Sequence, residues 1–250
     1  MSVLLCVVVG RYVRGVTQLH DVVYIVCAGS SEIIRFDAVT RHRLTDITVK
    51  DLCYPWDIAA CQQTPQLYVC DTPRTLIAAD CVWRVSSDGE DMKRLLPKSP
   101  SDTSRPWTLS VTSSRLLVTS HDPTNQLRQF DAVGDELRRV DLPDDMYPQH
   151  AVESPTGTFI VSHSNTRLKQ CRISEVNTGG QVLRQFSSSR LIPLGYTPHV
   201  AVDSQGNIFV ADEYRGCLLL LDSQLALRRV IIDKHQLNYK SRSVCATVNS

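Results

Sequence analysis

Residues 196–212 read YTPHVAVDSQGNIFVAD, and this segment decides the fold. A proline is followed by an apolar strand, then by Asp203 and the Gly206–Asn207 pair, and then by a second apolar strand that ends at Asp212. Gly and Asn at these positions are typical of a tight hairpin turn. The segment therefore predicts two antiparallel strands, with Asp212 placed to accept hydrogen bonds from the backbone of the next turn.

The second strand of this segment recurs along the chain. Short apolar strands end at Val26, Val69, Val118, Val161 and Val210, at spacings of 43, 49, 43 and 49 residues. The last four are preceded by a proline and another apolar alternation, and third and fourth short strands follow. A four-stranded unit that repeats at this length is typical of a β-propeller, in which each sheet is a blade that packs against its neighbours.

The unit at residues 196–212 resembles an NHL repeat, which has a proline, a small apolar strand, Asp-x-x-Gly-Asn, an apolar triplet and Ala-Asp in this order. Asn125-Gln126-Leu127-Arg128 and Asn165-Thr166-Arg167-Leu168 are similar to the short motif that names the repeat. Asp71 matches the position of Asp212, and the other units are assigned by spacing. The resemblance implies an all-β propeller like that of tripartite-motif NHL proteins.

The repeat count predicts a six-bladed β-propeller of NHL type, formed by one domain that covers residues 1–250. Five complete four-stranded blades are placed at residues 15–50, 53–97, 104–143, 146–187 and 196–233. An incomplete sixth blade is predicted from both termini, residues 2–9 and 242–250, because joining the two ends in one sheet removes an open edge. We expect that the chain is a piece of a longer product, although an incomplete blade is the open alternative.

Composition and charge exclude several classes of protein. Hydrophobic residues at 42% and charged residues at 21% are typical of a globular domain and not of a disordered chain. A net charge of +1 gives no general attraction to nucleic acid. The run from Val3 to Val9 is too short to span a membrane and lacks the features of a signal peptide.

The cysteine pattern predicts a reducing compartment. The nine cysteines are an odd number, most of them lie in apolar runs, and no Cys-x-x-Cys spacing occurs. Free buried thiols are therefore expected, without a disulfide-linked partner and without a zinc site. We predict a cytoplasmic location, no membrane association, no cofactor and no metal.

The residues that follow the prolines, together with the equivalent positions Arg14 and Arg242 in the units that lack one, are the candidate binding site, because they would enter the innermost strands at one mouth of the central channel. This channel-mouth ring consists of Arg14, Trp56, Trp107, Gln149, His199 and Arg242, flanked by Tyr54, Arg105, Tyr147, His150 and Tyr196. Aromatic faces beside guanidinium groups can hold peptide side chains or stack on bases. Trp56 and Trp107 also fit a second interpretation as buried plugs between adjacent blades.

These observations predict a non-catalytic binding scaffold that recognises a protein partner, or alternatively RNA, through one mouth of the ring. The other candidate function is a metal-dependent hydrolase or lyase on a six-bladed propeller, of the kind that amidating lyases and calcium-dependent lactonases represent. Such an enzyme needs carboxylates and histidines that converge on the channel. Asp57, Gln149, His150 and His199 are available at the mouth, but no acid recurs from unit to unit. We therefore predict no catalytic residue.

Overall fold

The computed structural model describes residues 2–4, 12–73, 80–97, 106–120, 124–165, 170–187, 194–195, 198–212, 214–233 and 245–247. All regular secondary structure in these ranges is β-strand, which confirms the all-β prediction. None of the described segments is a helix that could cross a membrane.

The strands follow one another along the chain in groups of four. After β1 (Ser2–Leu4), blade 1 contains β2 (Val13–Leu19), β3 (Val22–Cys27), β4 (Glu32–Asp37) and β5 (Ile47–Thr48). Blade 2 contains β6 (Pro55–Cys61), β7 (Gln66–Asp71), β8 (Cys81–Ser86) and β9 (Met92–Leu96). Blade 3 contains β10 (Pro106–Thr112), β11 (Arg115–Ser120), β12 (Gln126–Phe130) and β13 (Glu136–Asp141).

The remaining strands form two further blades and a terminal pair. Blade 4 contains β14 (Tyr147–Glu153), β15 (Phe159–Asn165), β16 (Gln170–Val176) and β17 (Val182–Ser187). Blade 5 contains β18 (His199–Val202), β19 (Ile208–Asp212), β20 (Cys217–Leu221) and β21 (Leu227–Ile232), and it is followed by β22 (Cys245–Thr247). All pairings between neighbouring strands are antiparallel, as expected for short connections within each blade.

In the part of the chain that the structure describes, the strands form five four-stranded blades, so the prediction of a six-bladed propeller is wrong. The terminal strands β1 and β22 do pair, with Val3 opposite Ala246, but they form a separate two-stranded sheet. This sheet lies beside the inner strands, because β22 contacts both β2 and β18. A short apolar run such as Val3–Val9 predicts a strand, but its length does not specify how many strands will pair with it.

Hydrophobic contact between blades forms the core. One buried cluster joins Tyr24 and Val26 of blade 1 to Leu67 and Val69 of blade 2. Equivalent clusters join blade 2 to blade 3, blade 3 to blade 4, and blade 4 to blade 5. Blades 2, 3 and 4 therefore share a buried cluster with a neighbour on each side, and the cohesion between the described blades comes mainly from apolar burial between adjacent units.

The outermost strands face solvent. In β13, Arg138 and Arg139 are exposed, and Arg228 and Arg229 occupy the corresponding exposed stretch of β21. Their charged heads lie at the rim, where they remain hydrated. This arrangement leaves the apolar inner strands to define the central channel.

The turn residues of the deciding segment have structural roles. Asp203 Oδ1 accepts hydrogen bonds from the backbone N–H groups of Gln205 and Asn207, at 2.9 and 2.8 Å. Gly206 supplies the left-handed backbone that the turn requires, with φ at +77°. Asp212 accepts from the N–H groups of Gly195 and Arg215, so it ties the strand end to the connections on both sides.

Two glycines with the same backbone conformation differ in their surroundings, and this difference predicts unequal effects of alanine. Gly180 has φ at +82°, and a Cβ atom there would lie 2.1 Å from the Asp141 carbonyl oxygen of the neighbouring blade. At Gly206 the nearest atom would be the Ser223 Cβ atom, at 3.4 Å. We expect Gly206→Ala to cost about 1 kcal/mol of unfolding free energy from the left-handed conformation alone.

Gly180→Ala should lower the unfolding free energy by about twice as much as Gly206→Ala, because the backbone of blade 3 must also move. Urea denaturation of the two variants measures the difference. Equal losses of unfolding free energy in the two variants would show that the turn at Gly180 does not pack closely against blade 3.

Candidate functional site

Four inner strands carry a β-bulge at the same place. In blade 2, Pro55 pairs with Asp71 and Asp57 pairs with Cys70, which leaves Trp56 without a position in the ladder. The same shift occurs at the corresponding residues of blades 1, 3 and 4, which are Arg14, Trp107 and Gln149. A bulge turns a side chain away from the regular alternation, so these four predicted mouth residues share one structural position.

Three of the bulge residues come together in an aromatic–arginine cluster, which we define as Tyr12, Arg14, Tyr54, Trp56 and Trp107. The Arg14 guanidinium carbon lies 4.0 Å from the centre of the Trp56 ring and 4.5 Å from that of Tyr12. The ring centres of Trp56 and Trp107 are 4.5 Å apart. Arg14 Nη2 also donates a hydrogen bond of 3.1 Å to the Tyr54 hydroxyl group.

Burial within the cluster is uneven. The Arg14 residue is only 7% exposed and Trp56 is buried, whereas Tyr12 is 51% exposed and Trp107 is half-buried. Trp56 therefore fits the plug interpretation, and Trp107 keeps part of its ring accessible. Among the residues that the structure describes, no carboxylate forms an ion pair with Arg14, and its Nε atom is buried without a hydrogen-bond partner.

His199 takes a different position from the one that its proline predicts. It pairs with Ala211, and Val200 pairs with Val210, without a bulge between them. This pairing places His199 level with His150, Thr108, Asp57 and Gly15, one position deeper than the bulge residues. We call these five residues the channel ring.

The channel ring brings together three side chains that can bind a metal. One oxygen of Asp57 and one nitrogen each of His150 and His199 all lie within 4.8 Å of one another, and all three residues are buried. The His150 Nε2 atom is 3.9 Å from Asp57 Oδ2, and the two imidazole centres are 4.6 Å apart. These residues come from blades 2, 4 and 5.

Hydrogen bonds across the blades fix two of the three side chains. Asp57 accepts from the backbone N–H groups of Ile58 and Leu109, both at 2.9 Å. His150 Nδ1 accepts a long bond of 3.4 Å from the Val200 N–H group, so Nε2 carries the proton and faces the Leu109 carbonyl oxygen at 3.2 Å. His199 has no hydrogen-bond partner among the described residues.

Burial governs the protonation of this group. It raises the pKa of Asp57 to about 7, against the lowering effect of the hydrogen bonds from Leu109 and Ile58. Burial lowers the pKa of His150 to about 4, and together with the adjacent His150 it holds the pKa of His199 well below its usual range. Both imidazoles are therefore neutral near pH 7, with a lone pair on each ring.

The channel ring forms part of the wall of a central cavity of about 860 Å³. Four acidic residues line the cavity, Asp21, Asp57, Glu153 and Asp203, and no Lys or Arg is found among its described lining residues. Glu153 is neutralised by Arg115 at 2.7 Å. The remaining acidic groups favour cations over anions in the channel.

The other predicted site residues are distributed as follows. Gln149 is half-buried and accepts a hydrogen bond at its carbonyl from the Thr108 hydroxyl group, at 2.9 Å, and Tyr147 is half-buried at the start of the same strand. His150 belongs to the channel rather than to the mouth. Arg105, Tyr196 and Arg242 lie outside the described residues. Tyr12 was not predicted, because no proline precedes β2 to mark the mouth there.

Among the described residues, five cysteines are buried and Cys53 is exposed. Burial raises the pKa of the Cys81 and Cys171 thiols to about 12. Such thiols are protonated and unreactive at neutral pH, so they contribute to packing and offer no nucleophile.

No family model matches the chain, and no curated protein matches it. Several solved structures are similar to the chain in fold. A chain of a nidogen/laminin complex has a TM-score of 0.71 at 14% identity, over 94% of this chain and 84% of that chain. A protein of unknown function from Bacteroides caccae has a TM-score of 0.63 at 14% identity, over 87% of this chain and 74% of that chain.

Hydrazine synthase from Kuenenia stuttgartiensis has a TM-score of 0.60 at 13% identity, over 84% of this chain and 76% of that chain. Identities this low establish the fold and nothing about activity. Together with the five repeated sheets, the structural neighbours show that the chain is a β-propeller.

Proposed function

We propose that this chain is an NHL-type propeller that acts as a binding scaffold and holds a protein partner at the aromatic–arginine cluster, where Arg14 pairs with an acidic group. The observation that carries the proposal is the buried Arg14 guanidinium, which rests on aromatic rings and has no carboxylate partner among the described residues. The NHL assignment itself rests on the unit at residues 196–212. The cytoplasmic location stays a prediction.

A buried arginine that packs on aromatic rings favours the binding of an anion. Removing a cation from water is costly unless it is paired, and cation–π contacts compensate by about 0.5–2 kcal/mol each. A carboxylate from a partner would make charge-assisted hydrogen bonds with the guanidinium group, including one from the Nε atom, which has no partner among the described residues. Arg14 is therefore prepared to recognise an acidic side chain or a free carboxyl terminus.

The surrounding aromatic residues suit a protein surface. Trp, Tyr and Arg are the residue types that dominate binding energy in protein interfaces. Tyr12 and Trp107 offer accessible ring area beside the buried Arg14–Trp56 pair, so a peptide could cover the cluster and exclude water from the ion pair. One structural neighbour is a chain of a nidogen/laminin complex, which supports protein assembly as a use of this fold.

Peptide selection tests this function directly. A phage-displayed random peptide library is selected on the purified chain, and the selected peptides are measured by fluorescence anisotropy. We expect an acidic residue or a free carboxyl terminus in the selected peptides. Arg14→Gln should weaken their binding at least about tenfold, because it removes the charged partner.

The matched control is Arg138→Gln on the exposed outer strand β13, which should bind as tightly as the unaltered chain. Thermal unfolding of both variants separates lost binding from lost structure. Selected peptides that bind Arg14→Gln unchanged would exclude Arg14 from the site. Tight binding of poly(U) with a steep salt dependence, and of no peptide, would favour RNA instead.

A further inference from the structure

We propose that Asp57, His150 and His199 form a site for one divalent transition-metal ion of the zinc class inside the central channel. This site is separate from the aromatic–arginine cluster and does not depend on the function proposed there. Two imidazoles and one carboxylate are a ligand set that suits zinc and leaves a coordination position open to the channel.

The three ligands are far apart in the sequence, and the packing of the blades around the channel brings them together. Asp57, His150 and His199 occupy the same level of three different inner strands and point their donor atoms into a space where all three lie within 4.8 Å of one another. Zinc bonds of about 2.0–2.1 Å place tetrahedral ligand atoms about 3.4 Å apart. His150 and Asp57 are already at 3.9 Å, so small side-chain rotations would close the site.

His199 offers a ring nitrogen to the channel. It is only 3% exposed, its ring lines the central cavity, and it has no hydrogen-bond partner among the described residues. A neutral imidazole that faces an open cavity keeps a lone pair that an incoming ion can reach. Asp57 and His150 form hydrogen bonds with the Leu109 backbone of another blade, whereas the His199 imidazole forms none with the described residues.

Charge also favours a cation at this position. The Asp57 carboxyl group is buried, and the neutral His150 imidazole lies 3.9 Å from it. The channel that leads to it carries acidic residues and no Lys or Arg among its described lining. An incoming metal would compensate the charge of the buried Asp57 carboxylate, and the acidic channel would attract it.

The rest of the channel ring leaves room for an ion. The blade 1 position is Gly15, where a Cβ atom would lie 3.0 Å from Asp57 Oδ1. The Thr108 hydroxyl group is engaged by Thr119 and the Gln149 carbonyl, so it is not a ligand. Binding through His150 Nε2 would move the imidazole proton to Nδ1 and give up both the 3.2 Å bond to the Leu109 carbonyl oxygen and the 3.4 Å bond from the Val200 N–H group.

Titration of the metal-stripped chain tests the site. The protein is treated with EDTA, desalted, and titrated with ZnCl2 by calorimetry and with CoCl2 by visible absorption, which reports a tetrahedral ligand field. We expect one ion per chain, and no comparable binding of Mg²⁺, which prefers oxygen ligands. His199→Gln should weaken zinc binding by about 100-fold or more, because it removes a direct ligand.

His163→Gln is the matched control, since His163 is equally buried but does not line the cavity, and it should bind zinc like the unaltered chain. Asp57→Asn provides a second ligand variant of nearly equal size, and thermal unfolding reports whether each variant is folded. The proposal is overturned if the folded chain binds no zinc or cobalt at millimolar concentration. It is also overturned if folded His199→Gln and Asp57→Asn keep the affinity of the unaltered chain.

Discussion

Phe159→Ala is expected to lower the free energy of unfolding by about 3–5 kcal/mol, the usual cost of removing a buried aromatic ring. Phe159 begins β15 and is fully buried in a cluster that spans two blades. Leu117 and Leu127 of blade 3 and Val161 and Val176 of blade 4 belong to the same cluster. Removal of the Phe159 ring therefore opens a cavity between blades 3 and 4. Neither sheet can move to fill this cavity without losing other contacts with its neighbour.

Urea denaturation followed by tryptophan fluorescence and by far-ultraviolet circular dichroism measures this loss. All three tryptophans lie in blades 2 and 3, so coincident transitions would show that those blades unfold with the rest of the ring. Leu137→Ala is the control: Leu137 is 54% exposed on β13, and its loss should stay within about 0.5 kcal/mol. A cost below about 1 kcal/mol for Phe159→Ala would mean that the junction is not packed as described.

Acid is expected to weaken the fold through His163 by about 3 kcal/mol between pH 7 and pH 4. Burial, with Arg172 nearby, lowers the pKa of His163 to about 4, while an imidazole in the unfolded chain has a pKa of about 6.5. The unfolded chain therefore binds the additional proton between these two values. The contribution of His163 to stability is complete above pH 6.5 and is lost as the pH falls toward 4.

The comparison with His163→Gln isolates this effect, because the variant cannot take up the proton. Other buried groups titrate in the same range, and the raised pKa of Asp57 acts in the opposite direction, but both chains share them. Unfolding free energies from urea titrations at pH 7, 5.5 and 4.5 should fall more steeply for the unaltered chain. Parallel pH profiles would show that His163 is hydrated or charged in the folded protein.

Much of the fold follows from sequence periodicity. The apolar strands that end at Val26, Val69, Val118, Val161 and Val210 became β3, β7, β11, β15 and β19, the second strand of each blade. This prediction succeeds because a sheet buried on both faces needs a continuous apolar run, and such runs are visible in one sequence. The number of blades is not visible in the same way, because it depends on how the sheets pack around the axis.

The candidate site was predictable in part. The prolines mark the positions of Trp56 and Trp107, which the structure places together with Arg14. A bulge shifts register by one residue, however, and no residue type in the sequence shows that blade 5 lacks one. The sequence therefore predicts His199 level with Trp56 and Trp107, whereas the structure places it level with His150. The convergence of His199 with Asp57 and His150 arises only when blades 2, 4 and 5 meet around one axis.

A crystal structure of the chain measures that convergence most directly. We expect five four-stranded sheets around one channel, with a donor atom of Asp57, His150 and His199 each within 4.8 Å of the other two. Six four-stranded sheets, or three side chains that point away from a shared space, would contradict it.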